Sequence, residues 1–348
     1  MPAPLFAALA AQNPPLRCSP IFAYRMRWKR RRLIWRALRR RHDLSRLRVD
    51  EGAIAAAPIL AFATIRNELE RLPFFLAHHR ALGVGHFLIV DNASTDGSDS
   101  YLAAQPDVSV WRTDASYKLA RFGVDWLMCL KFKFGAGKWC LTLDADEALI
   151  LPGGRSLGAL VTHLAATGRP SFGAVMIDAY PKGPVNEGHY QPGTNPFDHL
   201  CWFDGDGYRA QRHRVFDNLW VQGGVRERVF FQDQPARAPT LNKTPLVHWR
   251  RGYAYVTSTH QMLPRRLNHV FDTGAPTGVL LHSKFLPQIA AKSAEELGRR
   301  QHFQNSALYE DYHQRLVSGP VLWHAASRRY HGPVQLEQLG LMSTGDWQ

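Results

Sequence analysis

Cysteine is scarce: the 348 residues include four, Cys18, Cys129, Cys140 and Cys201. None are spaced as C-x-x-C, so neither a zinc site nor a disulfide framework is indicated, and a reducing cytoplasm is the simplest expectation for the compartment. Long apolar runs are lacking too. The longest, such as that from Ala53 to Ala63, fall well short of the ~20 residues that a membrane-spanning helix needs. The stretch from Met1 to Ala11 is apolar, but no Lys or Arg precedes it and it runs into Asn13-Pro14-Pro15, so it is not read as a signal peptide. There is no internal repeat, and the one biased segment is an arginine-rich stretch near the start.

A hydrophobic content of 45% over 348 residues is enough to bury a large core, as one α/β domain or as two halves sharing a cleft. The net charge of +14 is unevenly placed. Residues 1–50 hold 13 Lys and Arg against Asp43 and Asp50, a balance of +11, which leaves +3 for the rest of the chain. The body is therefore not a basic protein, and +3 is ordinary for an enzyme whose substrates carry phosphate.

The basic segment, read as an arm over residues 1–52, has no Gly or Pro between Ile21 and Glu51 and predicts a helix. Trp28, Trp35 and Leu38 fall at i, i+7 and i+10, with Ile34 adjoining, so one narrow face is apolar and aromatic while arginines cover the rest. Two uses stay open for residues 21–48: lying on an anionic membrane surface, with peripheral attachment at its inner face, or docking on the enzyme's own body or a partner. Nucleic acid is the partner this charge pattern favours least.

After the arm the composition changes abruptly. Residues 58–65 read as a buried strand ending in Arg66-Asn67-Glu68, and residues 73–82 as a helix that opens on Pro73 and closes at Gly83. A second strand, residues 85–90, ends in Asp91-Asn92-Ala93-Ser94-Thr95-Asp96-Gly97, where Ser94, Thr95 and Asp96 have the chemistry of a turn and helix cap. A third short strand fits residues 108–111, a helix Phe122 to Phe134, and a fourth strand, Trp139 to Leu143, delivers Asp144-Ala145-Asp146-Glu147 at its carboxyl end. Strand and helix in alternation give an α/β fold with a mostly parallel central sheet flanked by helices, and such sheets bind ligands at the carboxyl edge of their strands.

The paired carboxylates point to phosphate chemistry. A nucleoside diphosphate leaving group gains negative charge as its sugar departs, and a divalent cation bridging its oxygens supplies the stabilisation. Manganese or magnesium takes carboxylate and water ligands, and two carboxylates at one strand end can reach the metal and the ribose. D-x-D alone is a common acidic turn; its place after a buried strand, at the edge where two earlier strands also end in polar clusters, gives it meaning.

Arg66-Asn67-Glu68, Leu82-Gly83-Val84, Val90 to Gly97 and Trp139 to Glu147, in this order and spacing, resemble the nucleotide-sugar glycosyltransferases of family 2 and its bacterial relatives. The likeness covers about a quarter of the chain and implies a GT-A fold, Rossmann-like. It further implies a nucleotide-sugar donor, UDP-linked by family habit, manganese or magnesium, and an inverting transfer. By this resemblance Arg66, Asn67, Glu68, Asp91 and Asn92 lie around base and ribose. Asp144 contacts ribose and metal, Asp146 ligates the metal, and Lys118 and Arg121 either face the phosphates or are solvated.

Beyond Ala148 the likeness fades. Residues 172–180 read as a buried strand and residues 181–196 as a long loop. The tract from Phe197 to Val256 is rich in aromatics, among them Trp202, Tyr208, Trp220, Trp249, Tyr253 and Tyr255; it suits either an acceptor site for a glycan or lipid-linked sugar, or a packed core. An inverting transfer needs a carboxylate base. Glu227, after Gly223-Gly224 and between Arg226 and Arg228, is the first candidate and Asp206 the second, with a structural ion pair as the alternative for Glu227. His282 closes an apolar strand two residues before Lys284 and is a candidate further metal ligand, ahead of His248 and His260, or else a buried histidine. Residues 286–316 have helical composition.

The chain therefore divides into an arm at 1–52, a nucleotide-sugar half at 58–180, an acceptor half at 181–285 and a helical tail at 286–348. Two rivals to the transferase stay open: a nucleotidyltransferase using the same Asp pair and releasing pyrophosphate, and a noncatalytic adaptor that works through the arm.

Overall fold

The computed structural model of the chain describes residues 5–272, 274–299 and 306–347. Helix α1 (Leu5–Gln12) buries Phe6 and Ala10, with Phe6 against the rings of Tyr208 and Phe271, so the apolar opening stretch is a core helix. Helix α2 (Pro20–Arg39) begins with Pro20 in its first turn, and Ser19 Oγ accepts the Phe22 N–H. It covers nearly all of the basic run from Arg25 to Arg41 for which the sequence predicts a helix. A tight turn at Arg40–Asp43 leads to strand β1 (Ser45–Arg48) and helix α3 (Glu51–Ala56). Asp43 accepts from Trp126 Nε1 and Arg40 at this turn, and Asp50 caps α3 through the Ala53 N–H.

The alternation expected from the sequence follows, with ends shifted by a residue or two: β2 (Ile59–Ile65), α4 (Leu72–Leu82), β3 (His86–Asp91), α5 (Ser98–Ala103), β4 (Val108–Arg112), α6 (Val124–Leu130) and β5 (Trp139–Thr142). Gly83 ends α4 at φ 105° and binds its last carbonyls through its N–H. A π-helical turn, Lys131–Gly135, extends α6.

Then come β6 (Glu147–Ile150), α7 (Leu157–Ala166), β7 (Ser171–Asp178), α8 (Pro196–His199), β8 (Trp202–Phe203), the hairpin of β9 (Tyr208–Arg212) and β10 (Leu219–Gly223), and α9 (Gly224–Phe230). The chain continues through β11 (Asn242–His248), the pair β12 (Ala254–Thr257) and β13 (Gln261–Leu263), β14 (Thr277–His282), and the helices α10 (Ile289–Arg299) and α11 (Ser306–Val317).

Nine strands form one sheet in the order β1-β4-β3-β2-β5-β11-β7-β14-β6. Strands β4, β3, β2 and β5 are parallel, β11 runs against both β5 and β7, and β14 is parallel to β7. Six strands thus share one direction, while β1, β11 and β6 are reversed. The result is a mixed α/β fold with a mostly parallel sheet flanked by helices. Residues alternate along β2: Ile59, Ala61, Ala63 and Ile65 face the core under α1, α4 and α7, while Leu60 and Phe62 face the core under α2, α6 and β12. Among the described residues no helix is long and apolar enough to cross a membrane.

The second core holds a lysine. Lys131 is fully buried, its Nζ 4.5 Å from the centre of the Phe62 ring, 5.1 Å from Tyr255 and 5.5 Å from Trp249, and it has no hydrogen-bond partner among the described residues. Trp249, Tyr253 and Tyr255, one possible sugar platform, are therefore core side chains here. Burial pushes the Lys131 ammonium down to about 7, and the ring faces return part of that loss. Because the folded value lies below the unfolded one, the native state binds fewer protons between them. The cost is fully present below about pH 7 and relieved as pH rises toward the unfolded lysine range. Lys131→Met is expected to stabilise the protein at pH 6 by about 2 kcal/mol, an advantage that shrinks toward pH 10; urea unfolding at the two pH values measures it.

Candidate functional site

Five strands, β2, β3, β5, β7 and β14, bring their carboxyl ends to one edge of the sheet. Register then fixes which side chains meet there: His282, the last residue of β14, stands opposite Asp178 on β7 and Glu147 on β6. Its Nδ1 lies 2.6 Å from Asp178 Oδ1 and its Nε2 3.0 Å from Asp146 Oδ2. Arg226 Nε donates to the other Asp178 oxygen at 2.7 Å. Asp146, His282, Asp178 and Arg226 form a line of alternating charge.

Burial opposes the His282 imidazolium, but the Asp146 carboxylate and the hydrogen bonds on both sides outweigh it, and its pKa is raised. Burial likewise opposes charge on Asp178, yet Arg226 and His282 hold it down to about 2. Asp146 is held well below the usual carboxylate range: against burial stand His282, Arg71 and Lys284. Ser283 fixes the loop by donating its N–H to the Asp146 carbonyl at 2.7 Å.

The other acid of the motif points elsewhere. Asp144 is 56% exposed, and its Oδ2 accepts from Lys243 Nζ at 2.8 Å. Lys243, on β11, also binds the buried Glu147, whose Oε2 accepts the Asp144 N–H. Burial pushes the Glu147 carboxyl up against the pull of Lys243; burial likewise works against the Lys243 charge, but the two acids raise its pKa. Asp144 and Lys243 open onto a cavity of about 390 Å³, mouth included, that is also lined by Thr64, Tyr117, Phe122, Tyr255 and Thr259. Thr64 Oγ1 and Thr259 Oγ1 are buried without a hydrogen-bond partner among the described residues, as is Asp91 Oδ1. Of these, Thr64 and Thr259 line the cavity, and buried hydroxyls left unpaired at a cleft are what a polar ligand satisfies.

The loops after β2 and β3 interlock. Arg66 donates to the Asn92 carbonyl at 2.9 Å, Ser94 Oγ accepts the Asn67 N–H, and Asn67 Oδ1 accepts the Thr95 N–H. Asp96 takes the N–H groups of Leu69 and Ser98, so the Ser-Thr-Asp run ties the two loops besides serving the first turn of α5. Asn92 donates to the carbonyls of Thr113 and Ala115. Burial raises the pKa of Asp91. Glu68 is engaged by Arg71 and Lys292.

Of the two basic candidates, Lys118 is exposed. Arg121 is bound by Asp125 and by the carbonyls of Tyr255 and Val256. With Phe122 and Gly123 it forms three successive residues at positive φ, 51°, 58° and 75°, a strained turn that persists because its surroundings hold it. A Cβ at Gly123 would meet Thr64 Oγ1 at 2.6 Å, so glycine is required for this wall to close on β2.

Glu227 pairs with Arg209 at 2.8 Å; the arginines expected to flank it go instead to Asp178 and Asp204. Burial raises its pKa, with Arg209 opposing. Gly223, at φ 130°, could not carry a Cβ, which would lie 2.2 Å from the Gly207 carbonyl. Asp206 is exposed. His248 binds the Gly137 carbonyl at the amino end of β5, away from the site, and His260 binds the Asn242 carbonyl. Asp178, Arg226, Lys243 and Arg71 are the side chains sequence reasoning passed over. The one available signal was Asp178, a carboxylate closing the apolar run from Phe172 to Ile177; Lys243 sits among polar residues on β11 and gave none.

Among the described residues no three His, Cys, Asp or Glu side chains cluster as a complete metal site. A pair does fit. Asp146 Oδ2 and His282 Nε2, 3.0 Å apart, match the spacing of about 3 Å between neighbouring ligands of an ion bound at ~2.1 Å. The carboxylate behind the imidazole is the usual outer partner of a ligating histidine, and magnesium-type sites commonly take few protein carboxylates and complete themselves with substrate phosphate.

No family model and no curated protein matches the chain. Solved structures with some likeness include the mannosyltransferase PcManGT from Pyrobaculum calidifontis in complex with GDP-Man and Mn2+, at 16% identity and TM-score 0.25, covering 47% of each chain. The chain thus spans about half the length of that enzyme. Others are a UTP-bound UGPase from Acinetobacter baumannii, at 10% identity and TM-score 0.31 over 74% of this chain and 98% of that one, and a putative glucose-1-phosphate thymidylyltransferase from Bacillus anthracis, at 9% identity and TM-score 0.26 over 81% and 94%.

Arg226→Met would leave the buried Asp178 charge with His282 alone at its oxygens. A loss of about 3 kcal/mol in unfolding free energy is expected, measured by urea denaturation; a change under ~0.5 kcal/mol would mean the pair is not held as described.

Proposed function

We propose that this protein is a divalent-metal-dependent glycosyltransferase that takes a nucleoside diphosphate sugar, a UDP-sugar in the first instance, and transfers its sugar with inversion to a hydroxyl of a glycan or lipid-linked acceptor. The observation that carries this reading is the line Asp146–His282–Asp178–Arg226 at the carboxyl edge of the sheet, beside the cavity at Asp144. Manganese or magnesium held by Asp146 and His282, with Asp144 toward metal or ribose, would supply positive charge to the departing diphosphate.

The protein's own groups have distinct tasks in this reading. Asp178 orients the imidazole and keeps its Nε2 turned to Asp146. Lys243 holds Asp144 at the cavity mouth. Asp91 Oδ1, without a hydrogen-bond partner among the described residues, would accept an N–H from the nucleotide base, and the loop tied by Arg66, Asn67, Glu68 and Asn92 keeps that end of the site in shape. Lys284, whose charge is felt at Asp146, is a cation for the phosphates, whereas Lys118 lies out in solvent. Glu227 takes the acceptor proton, its raised pKa making it a stronger base than an ordinary carboxylate; Asp206 is the substitute.

Ligand-induced stabilisation tests the donor site. A nucleotide that binds only the folded state adds about 2.7 kcal/mol at ~100 times Kd. UDP, GDP and CDP are each measured with and without manganese, in wild type and Asp146→Ala. One nucleotide is expected to give a manganese-dependent shift that Asp146→Ala loses, and no shift with any of the three would sink the reading. Release of a nucleoside diphosphate, rather than pyrophosphate, separates a glycosyltransferase from a nucleotidyltransferase. Glu227→Gln is expected to keep the nucleotide shift while kcat falls at least ~100-fold; full activity in this variant would remove Glu227 as the base.

A further inference from the structure

Helix α2 has two faces, and the body uses one of them. Ala37 is buried, Leu33 and Ile34 pack on the core beneath the helix, and Arg36 Nε reaches the buried Asp125 at 2.8 Å. The opposite side carries Tyr24, Trp28 and Trp35, which are 58%, 45% and 59% exposed. They lie at i, i+4 and i+11, one stripe of a helix with 3.6 residues per turn. Exposed arginines, Arg25, Arg27, Arg31, Arg32 and Arg39, run along its flanks, and no acidic residue precedes Asp43 in the sequence.

We propose that this outward face of α2 lies on an anionic lipid bilayer. A convex ridge of aromatic rings between ranks of guanidinium groups fits a flat, negatively charged headgroup layer, where indole rings sit at the boundary of polar and apolar zones. The same face of a second copy carries the same arginines and is repelled. Stacking on nucleic-acid bases needs open ring faces, but Arg39 covers Trp35 at 3.5 Å and Arg31 stands 5.4 Å from the centre of Trp28.

The placement also has a consequence for the cleft. Leu119, itself 59% exposed, has its carbonyl held by Arg36 and Arg40 of the arm, and its near neighbours Tyr117 and Phe122 line the cavity at Asp144. A bilayer against α2 would bring this loop and the cleft mouth to the headgroup layer, where a lipid-linked hydroxyl can enter. That last step rests on the proposed transferase reading; the surface itself does not.

The experiment is sedimentation of the full chain with phosphatidylcholine vesicles, with and without phosphatidylglycerol. Wild type is expected to pellet with the anionic vesicles and to come off as salt rises. Trp28→Ala with Trp35→Ala, and separately Arg31→Gln with Arg32→Gln and Arg39→Gln, are expected to weaken this at least about tenfold. Circular dichroism and Tm of both variants should match wild type, since these side chains are on the exposed face of α2 and belong to neither core. Equal pelleting with neutral vesicles, undiminished pelleting of both variants, or retention by single-stranded RNA with no vesicle binding would each overturn the proposal. Nucleotide stabilisation in the same variants is expected to stay at the wild-type level, so failure of the lipid surface and failure of the donor site are read separately.

Discussion

The site depends on a single register. Strand β14 lies between β7 and β6, so His282 faces Asp178 on one side and Glu147 on the other. A slip of one residue would turn the imidazole to the opposite face of the sheet, parting it from Asp146 and leaving Asp178 to Arg226 alone. What pins the register is ordinary packing: all six residues of β14 and all eight of β7 are buried. A mis-set pairing would put apolar side chains against the wrong layer. The chemistry at the sheet's edge is thus specified by aliphatic contacts well away from it.

Charge at this edge is arranged in alternation. Asp144 and Glu147 share Lys243, while Asp146 and Asp178 share His282, with Arg226 closing the second chain. Glu147, Asp146 and Asp178 each have a cation within hydrogen-bond reach, which is the condition for charge to persist away from water. Asp144 differs in being half in solvent, so it can change partner at little desolvation cost. That contrast separates the two acids on either side of Ala145: Asp146 is locked in a buried line and Asp144 stands at the cavity mouth.

Much of the fold was legible in the sequence because strands β2 to β5 are almost wholly buried and read as mainly apolar runs, broken by Gly and polar turns where they end. The alternation of β2 through β5 and the place of Asp144 and Asp146 follow from that. What was not legible depends on partners distant in sequence. Strand β11 carries Asn242, Lys243 and Thr244 among its apolar residues, so its central, antiparallel place could not be read from pattern. Lys243 belongs there because two acids from another loop neutralise it. The basic run shows the helix α2, but nothing in its own residues shows that Asp43 will bond Trp126 and that the chain will then turn into β1. Arg226 and Arg228 looked like partners for Glu227 by adjacency, but on α9 successive side chains point apart, and they meet Asp178 and Asp204 instead.

The short strand β1 pairs along the outer side of β4 and is mostly exposed, with Arg46 and Arg48 on it. It closes an edge that would otherwise offer open N–H and carbonyl groups to any passing strand, and it does so with charge, which discourages further pairing. The basic segment is therefore a piece of the sheet's own insulation as well as an appendage to it. Cutting the chain before residue 50 would bare β4 and invite aggregation, whatever the arm touches in the cell, so the separate functions of this region are reached by altering side chains on α2 and not by truncation.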